Sequence, residues 1–478
     1  MTITADYFVD GTVDAYTASR TGSSGSPWTG AGGIQQALSL ATAGQVIAVK
    51  GDGSTSLTCS KLKKITVGSF TDGGAPIAAG DFVIESSTSG GNPNGAQGHV
   101  VWRQSATVLW IYVSAGTWVT SGSPNNYIYK SSGNYAGAIS AIATLGLTVM
   151  TAGSAAAGRS KLIGVNSSSW NDDGTTFVVS GNGCTNGLVA NASFMDYRNF
   201  AITGTSGGHG ILFNSANTDC VLVNVLVQSS SGNGFSAIGN RFLFRRCRAL
   251  SNTGIGFYPG SSASAYTLFG CESQLNATGV SMASSSAQVQ DCIIANNSGA
   301  GLVYSGNGQV AVDGCVFDGN GTDHINISAG SSSIIRQSRF SYCGSGYYAI
   351  NMSAATNARV IEDYNVFFAN GGDTGATDTH DRLSVDVGAN SIHVDSDDAL
   401  GYTLRSSGNY NLTNAATLQS VSSSFDATNV LAMCAGLVPL TDYPTVDNVK
   451  SGVAFNRGLQ GTYAAAGGIS RARLVGGE

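Results

Sequence analysis

The chain has 478 residues, of which 42% are hydrophobic, so it is long enough to bury a sizeable core. Only 11% of the residues are charged, the formal net charge is −6, and no basic tract is present, which argues against a nucleic-acid partner. No run of about 18 apolar residues could span a membrane, so no membrane partner is predicted. The 65 glycines and 7 prolines are typical of a turn-rich, all-β protein.

The first segment, residues 1–54, is predicted to be the N-terminal cap and first coil of a solenoid. Tyr7–Gly11 is predicted as a strand, and Gln45–Val49 as a second, apolar strand. Between them, residues 33–43 have the spacing of a short amphipathic helix. The apolar residues that would share one side of this helix are Ile34, Ala37, Leu38 and Ala41. A solenoid needs such a cover, because its first coil would otherwise expose apolar surface.

Residues 55–157 do not follow the period of the rest of the chain and are predicted to be an inserted small β domain. Turn signals such as DGG and GGNP separate its alternating segments. These segments are Lys64–Val67, Asp81–Ile84, His99–Trp102 and Val108–Val113. The interpretation is an antiparallel β-barrel. We expect Trp102 and Trp110 to fill its core, and a partner-binding surface is the alternative.

Residues 158–400 are predicted to be the body of a parallel β-helix. A small residue followed by an apolar one recurs in steps of 22 to 25 residues. The pairs are Gly187-Leu188, Gly210-Ile211, Gly234-Phe235, Gly256-Phe257, Gly279-Val280, Gly301-Leu302, His324-Ile325 and Ala349-Ile350. Each repeat holds short β-branched or aromatic segments such as CIIAN and YNVFF, and not runs of helix formers. One repeat therefore corresponds to one coil.

Two further columns run through the repeats in the same register. The second column is Asn199, Asn224, Cys247, Cys271, Cys292, Cys315, Ser338 and Asn365. The third is Asn252, Asn276, Asn297, Asn320, Cys343 and Asn370. We expect the Cys side chains to stack inside as compact apolar groups, and the Asn amides to hydrogen-bond from coil to coil. The residue two positions after the second column, Leu226 among them, should also point inward. The nine cysteines are predicted to be buried free thiols, which implies folding in a reducing compartment.

The period fades after Asn370. Residues 401–444 are predicted to end the helix as a C-terminal cap, and residues 445–478 to form an attachment or trimer-forming tail. A disordered end is the open alternative for the tail.

Two sequences carry a resemblance to a known family. GAGGIQQALSLATAGQVIAVKGDG resembles the entry segment of the pectate-lyase-like right-handed parallel β-helix superfamily, and GRSKLIGVNSSSWNDDGTTFVVSGNG resembles one of its early coils. The resemblance covers residues 1–51 and about 158–400. It implies an all-β fold: a right-handed single-stranded parallel β-helix with an N-terminal capping helix, the inserted barrel and an irregular C-terminal region. It implies no single chemistry, because the superfamily holds lyases, hydrolases, epimerases and non-enzymatic bacteriophage proteins.

Candidate catalytic residues lie beside the Cys column. Arg248, Glu272 and Asp291 flank it and are expected to face solvent, whereas Asp313 has inward parity unless its strand bends. Glu272 and Asp291 would suit a glycosidase if about 5 to 9.5 Å apart. Arg248 with the three carboxylates would suit a lyase that binds Ca²⁺. The other interpretation is a set of cross-coil ion pairs on a solvated sheet.

No sequence motif of high specificity supports either chemistry, and we predict no cofactor and no bound metal. The histidines stand alone in sequence and are expected to be hydrogen-bonded surface residues. They are His99, His209, His324, His380 and His393.

The function that we favour is a non-enzymatic structural protein of a bacteriophage virion, a head or tail appendage or decoration protein. We expect a homotrimer that contacts other virion proteins and holds host surface polysaccharide through exposed side chains. The weak candidates for that contact are Tyr258, Tyr266, Tyr304 and Tyr348. The opening MTITADYFVDGT lacks a basic and an apolar signal region, which predicts synthesis in the host cytoplasm without a signal peptide and localisation in the virion. The alternatives are a polysaccharide depolymerase of the tailspike kind, either a lyase or a glycoside hydrolase, and a bacterial adhesin.

Overall fold

The computed structural model describes residues 3–412, with gaps at 70–75, 87–92, 121–126, 131–134, 215–216, 261–264, 284–285, 307, 329–331, 353–358, 364, 371–390, 394–401 and 405–408. The predicted tail, 445–478, and most of the predicted C-terminal cap, 401–444, lie outside the described residues. Within the described residues, no helix has the length and apolar character of a membrane span. The chain divides into two compact units, residues 1–212 and 213–478.

The described chain is almost entirely β. Its helix α1 spans Gly30–Leu40, and a 3₁₀ turn spans Cys59–Lys61. The strands are β1 Tyr7–Asp10, β2 Trp28–Thr29, β3 Val46–Gly51, β4 Ser56–Thr58, β5 Leu62–Val67, β6 Phe82–Ser86, β7 Pro93–Ser105, β8 Val108–Ala115, β9 Tyr127–Lys130, β10 Tyr135–Ala143, β11 Leu147–Val149, β12 Ser160–Asn166, β13 Phe177–Ser180, β14 Leu188–Ala190, β15 Met195–Thr205, β16 Ile211–Phe213, β17 Thr218–Ser230, β18 Phe235–Ala237, β19 Asn240–Arg245, β20 Arg248–Leu250, β21 Ile255–Pro259, β22 Tyr266–Phe269, β23 Glu272–Gln274, β24 Thr278–Met282, β25 Ser286–Gln290, β26 Ile293–Ala295, β27 Leu302–Tyr304, β28 Gln309–Asp313, β29 Val316–Asp318, β30 Ile325–Ile327, β31 Ser332–Arg336, β32 Arg339–Ser341, β33 Ile350–Asn351, β34 Arg359–Asp363, β35 Val366–Phe368, β36 Ile392–His393, β37 Tyr402–Leu404 and β38 Asn409–Leu412.

Helix α1 packs on the first strands of unit 1. It begins three residues before the predicted start and ends at Leu40, and its expected apolar side is buried. Gln35 ties it to β11: its Nε2 donates to the carbonyl of Thr148 at 3.0 Å, and its Oε1 accepts the N–H of Thr148 at 2.8 Å. Strands β1, β3, β12 and β15 pair in parallel beside it, so a capping helix leads into the first coils.

The insert of unit 1 is a closed antiparallel barrel with strand order β10, β5, β8, β7, β6 and β9. All its strands lie inside the predicted insert, while the predicted domain boundaries remain predictions. The expectation for its core was wrong: Trp118 fills it, and Trp102 and Trp110 do not. The cause is strand alternation, because Leu109 and Ile111 take the inward positions of β8 and leave Trp110 on the outer wall.

In unit 2, each coil contributes one strand to each of three parallel sheets. The first sheet holds β19, β22, β25, β28, β31 and β34. The second holds β20, β23, β26, β29, β32, β35 and β36. The third holds β18, β21, β24, β27, β30 and β33. Like residues stack inside, as in the rings of Phe317, Phe340 and Phe367, whose centroids are 5.1 and 5.3 Å apart. The predicted all-β, parallel β-helix fold is confirmed.

Each coil turns at two single-residue bends with positive φ. The first bend separates the first and second sheets and lies at Arg246, Gly270, Asp291, Gly314 and Gln337. The second follows the second sheet at Ser251, Leu275, Asn296, Gly319, Tyr342 and Ala369. Only some positions are glycine, although non-glycine residues adopt positive φ at a cost of about 1 kcal/mol or more. The neighbouring coils therefore impose these bends.

Asparagines stack just after the second bend. The side-chain oxygen of Asn276 accepts the backbone N–H and the Nδ2 of Asn252, and Asn297 and Asn320 repeat the arrangement in the next coils, at 2.9 to 3.2 Å. All four amides are at most 2% exposed. The series ends at His324, whose Nδ1 lies 2.9 Å from the Nδ2 of Asn320.

The cysteines stack just after the first bend and are fully buried. Three assignments at the start of this column were wrong. Asn199 and Asn224, with φ of 55° and 53°, are the bend residues themselves. In the coil of Asn224 the inward positions are therefore Val225 and Val227, and Leu226 registers with the outward Arg248. The one-residue offset was invisible because a single bend residue shifts the alternation without a glycine to mark it.

We expect the thiols of the cysteine column to resist alkylation in the folded protein. Burial raises the pKa of Cys271, Cys292 and Cys315 well above the ordinary value, and the thiolate is the reactive form. Iodoacetamide at neutral pH followed by peptide mass spectrometry should label them only after unfolding in guanidinium. Rapid labelling of Cys292 in the native protein would contradict its burial.

Candidate functional site

The sequence-predicted site residues lie on both sides of the first bend. On the first sheet, Gln290, Asp313 and Arg336 are cross-coil neighbours in register. On the second sheet, Arg248 is the neighbour of Glu272. Val312 and Ala249, which are adjacent to Asp313 and Arg248 in the same strands, are buried in the core. Because side chains alternate along a strand, Asp313 and Arg248 lie on the outer side of the coils.

Glu272 is held by an ion pair and is largely buried. Its Oε2 lies 2.5 Å from the Nε of Arg248, and its Oε1 accepts a hydrogen bond from the Nε2 of Gln274 at 2.7 Å. The residue is 8% exposed. The expectation that it faces solvent was therefore wrong, because the two neighbouring side chains cover it. Both carboxylate oxygens are occupied, which leaves little of the group for proton transfer.

Asp313 is an acid that keeps its proton to near-neutral pH. Burial raises the pKa of its carboxyl to about 7, the guanidinium of Arg336 opposes that shift, and the neighbouring charge of Asp291 adds to it. Its Oδ2 lies 3.0 Å from the Nε of Arg336. The exception stated for a bend applies to Asp313: the positive φ of Gly314 breaks the alternation between it and Cys315, and Asp313 lies on the outer side.

Asp291 occupies the bend itself, with a φ of 56°, and is fully buried and not solvent-facing as expected. Its backbone N–H donates to the carbonyl of Asp313 at 2.9 Å. The register pairs Glu272 with Ile293, two residues further along, so Glu272 and Asp291 are not cross-coil partners. The arrangement groups Asp291 with Asp313 and not with Glu272.

Sequence reasoning missed Gln290, which is adjacent to both of these acids, in the chain or across the coils. It precedes Asp291 in the chain and is the cross-coil partner of Asp313. It is fully buried, and neither its Oε1 nor its Nε2 has a hydrogen-bond partner in the described part of the chain. No sequence signal marks it, because the polar side chain stands in an ordinary alternating strand, SAQVQ.

Two further expectations about exposure were wrong. His324 is hydrogen-bonded but fully buried, between Asn320 and the carbonyl of Ser341, 2.9 Å from its Nε2. Tyr266 and Tyr304 are also fully buried and offer no surface to a glycan. They are inward residues of their sheets, and the hydroxyl of Tyr266 donates to the carbonyl of Gly239 at 3.0 Å.

The outer side of these coils thus offers a carboxyl with a raised pKa, Asp313, and a buried amide, Gln290, while Arg248 and Arg336 each lie against one acidic side chain. Among the described residues, no group of three or more His, Cys, Asp and Glu side chains is placed to hold a metal ion. The ion pairs and ladders are what stacked coils require of polar residues that lose water.

The stacked coils and their capping helix define a right-handed parallel β-helix fold. The family model described as "Right handed beta helix region" matches residues 178–340 and 239–414. Among solved structures, a pectate lyase, Pel9A, is similar over 89% of this chain and 94% of its own, with 12% identity and a TM-score of 0.49. The tailspike gp61 of Pseudomonas phage phi297 is similar over 74% of this chain and 69% of its own, with 11% identity and a TM-score of 0.28. A search of the curated proteins finds no match.

Proposed function

We propose that this chain is a non-enzymatic structural protein, a stiff β-helix carried on the head or tail of a bacteriophage particle. It acts as a homotrimer beside other virion proteins and holds host surface polysaccharide. The observation that carries the non-enzymatic part is the state of the candidate carboxylates: Glu272 and Asp313 are each bound to an arginine and largely removed from solvent. A carboxylate that attacks or protonates a polysaccharide must be reachable by the chain that it cleaves.

The rigidity of the coils supports a structural role. Every described coil from Asn252 to Asn320 is joined to the next by backbone pairing and by a buried side-chain amide. Fully satisfied buried networks of this kind rigidify a structure and specify one arrangement. The location in a virion and the trimer are the further parts of this proposal.

The first experiment incubates the purified protein with purified capsule of the host and measures the release of reducing ends. We expect no release above buffer. Release by the wild-type protein that Glu272→Gln or Asp291→Asn abolishes would reject the non-enzymatic proposal. The virion part is tested separately, by mass spectrometry of purified particles, in which the chain should be present at a constant ratio to the capsid protein.

A polysaccharide depolymerase is the second candidate: the raised pKa of Asp313 near Asp291 favours it, and the burial of both acids counts against it. A carboxyl with a pKa of about 7 beside a second carboxylate is suited to donate a proton at neutral pH. If the capsule assay detects cleavage, Asp313→Asn should abolish it, while Asp173→Asn, an exposed substitution in the other unit, should leave it unchanged.

A further inference from the structure

The outer wall of the barrel carries an aromatic pair that its fold does not need for a core. Trp110 on β8 and Trp102 on β7 are register partners, and their rings stack with centroids 6.1 Å apart and an interplanar angle of 27°. The barrel interior is filled by other residues, Trp118 among them. The pair therefore lies on the outer side of the barrel wall, with Trp110 buried and Trp102 partly exposed.

The two rings differ in exposure. Trp110 is 1% exposed, whereas Trp102 is partly exposed, so Trp102 is the member of the pair that solvent reaches. The Nε1 of Trp110 donates to the Oε1 of Gln104 at 3.0 Å. That bond fixes the Gln104 amide beside the pair and leaves its NH₂ group as a donor. The ring of Trp102 is thus held by stacking on Trp110 and lies near the fixed amide of Gln104.

Polar groups continue around the pair. Lys64 is the register partner of Trp110 on β5, on the opposite side from Trp102, and places an ammonium group on the same outer row. Ser105 and Thr107 lie at the hairpin that joins β7 and β8, with Ser105 exposed and Thr107 partly exposed. The partly exposed ring of Trp102 therefore lies near neutral donors and acceptors, and Lys64 adds a positive charge two strands away on the same outer row.

We propose that this outer wall, formed by Trp102, Gln104 and Lys64, is a carbohydrate-binding site with a preference for anionic sugars. A sugar ring presents C–H groups on one face and hydroxyls at its edge, so it can stack on an indole while amide and hydroxyl groups bond to its edge. Lys64 supplies a charge complementary to a carboxylate or a sulfate on the sugar.

A protein partner fits this surface less well. A stable protein interface buries about 800 Å² on each partner around several large apolar residues. Among the barrel residues that the structure describes, Val119 is the large apolar side chain that is more than a third exposed, at 37%. A small site with one aromatic ring and a polar border suits a sugar chain.

The inference rests on the part of the proposed function in which the chain holds a host polysaccharide, and it locates that contact on the barrel and not on the coils. The test applies the fluorescently labelled full-length protein to an array of neutral and anionic bacterial polysaccharides. We expect binding to at least one anionic glycan. Trp102→Ala should weaken it by about tenfold or more, and Gln104→Ala and Lys64→Ala by smaller factors.

Two controls keep the result interpretable. Trp102→Phe keeps a ring and should retain part of the affinity, which separates lost stacking from lost folding; Val119→Ala should bind as the wild type does. Failure of the wild-type protein to bind any glycan, or binding that survives Trp102→Ala, would overturn the inference. Neither outcome changes the particle test, which decides the virion part of the proposed function independently.

Discussion

Replacing Asn297 with alanine is expected to lower the free energy of unfolding of the coils by about 3 to 5 kcal/mol. The side-chain oxygen of Asn297 accepts two hydrogen bonds from Asn276, and its Nδ2 donates to the Oδ1 of Asn320 and the carbonyl of Ser273. Alanine leaves the backbone N–H of Asn276 buried without its side-chain acceptor, which costs about 1 to 3 kcal/mol, and removes three further hydrogen bonds worth about 0.5 to 1.5 kcal/mol each. The Nδ2 of Asn276 keeps the carbonyl of Ala249, and the Oδ1 of Asn320 keeps the backbone N–H of residue 297. Urea unfolding followed by circular dichroism measures the loss.

The matched control is Ser298→Ala, one residue further along the same turn. Ser298 is exposed, and its substitution should change stability by less than about 0.5 kcal/mol. Native-state hydrogen exchange adds a local test, because the amide proton of Asn276 should exchange faster in Asn297→Ala while amides of the barrel do not change. Equal effects of the two substitutions would show that the amide ladder contributes nothing particular to stability.

The repeat of the coils could be predicted from sequence because stacking demands the same residue type at the same height. Asn252, Asn276, Asn297 and Asn320 recur at the position where only an amide both donates and accepts between coils. The signal belongs to the column and not to any one residue, so it survives local irregularities. The fold class followed from that period together with the β-branched and aromatic segments in each repeat.

Exposure could not be predicted in the same way. Alternation places Glu272 correctly on the outer side, but its burial depends on Arg248 and Gln274, which reach it from a neighbouring coil and from two residues further along its own strand. The parity of Asp313 fails at the positive φ of Gly314, since one bend residue reverses the expected direction. Single-strand patterns therefore locate a side chain along a coil but not its accessibility.

In the barrel, too, the sequence did not show which side chains face the core. Trp102 and Trp110 are large and apolar, which favours a core position by composition. Their place on the outer wall is decided by Leu109 and Ile111, because only one parity of β8 can face inward. An alternating strand of apolar residues on both faces gives no sign of which face closes the barrel, so the three-dimensional arrangement was needed.

The second large effect is a loss of stability as pH rises, caused by Asp313. Burial raises the pKa of this carboxyl to about 7 in the folded protein, whereas an unfolded chain has about 3.9. Below about pH 4 both states hold the proton, and the group does not affect folding. Between about pH 4 and pH 7 the unfolded state releases the proton first, so the free energy of unfolding falls, by up to about 4 kcal/mol.

Asp313→Asn removes this titrating carboxyl. The free energy of unfolding should then change much less between pH 4.5 and pH 8, as measured by urea midpoints at each pH. The control is Asp173→Asn in the other unit: hydrogen bonds from Asn166 and Thr175 lower the pKa of that exposed carboxyl, so its contribution is lost only as pH falls below about 4. The control should keep the wild-type loss of stability toward pH 8. If Asp313→Asn keeps it as well, the titrating group lies elsewhere, and Asp313 must already be ionised in the folded coils. Its ion pair with Arg336 would then outweigh the desolvation of its carboxylate, and the argument for a proton donor in a depolymerase would fail with it.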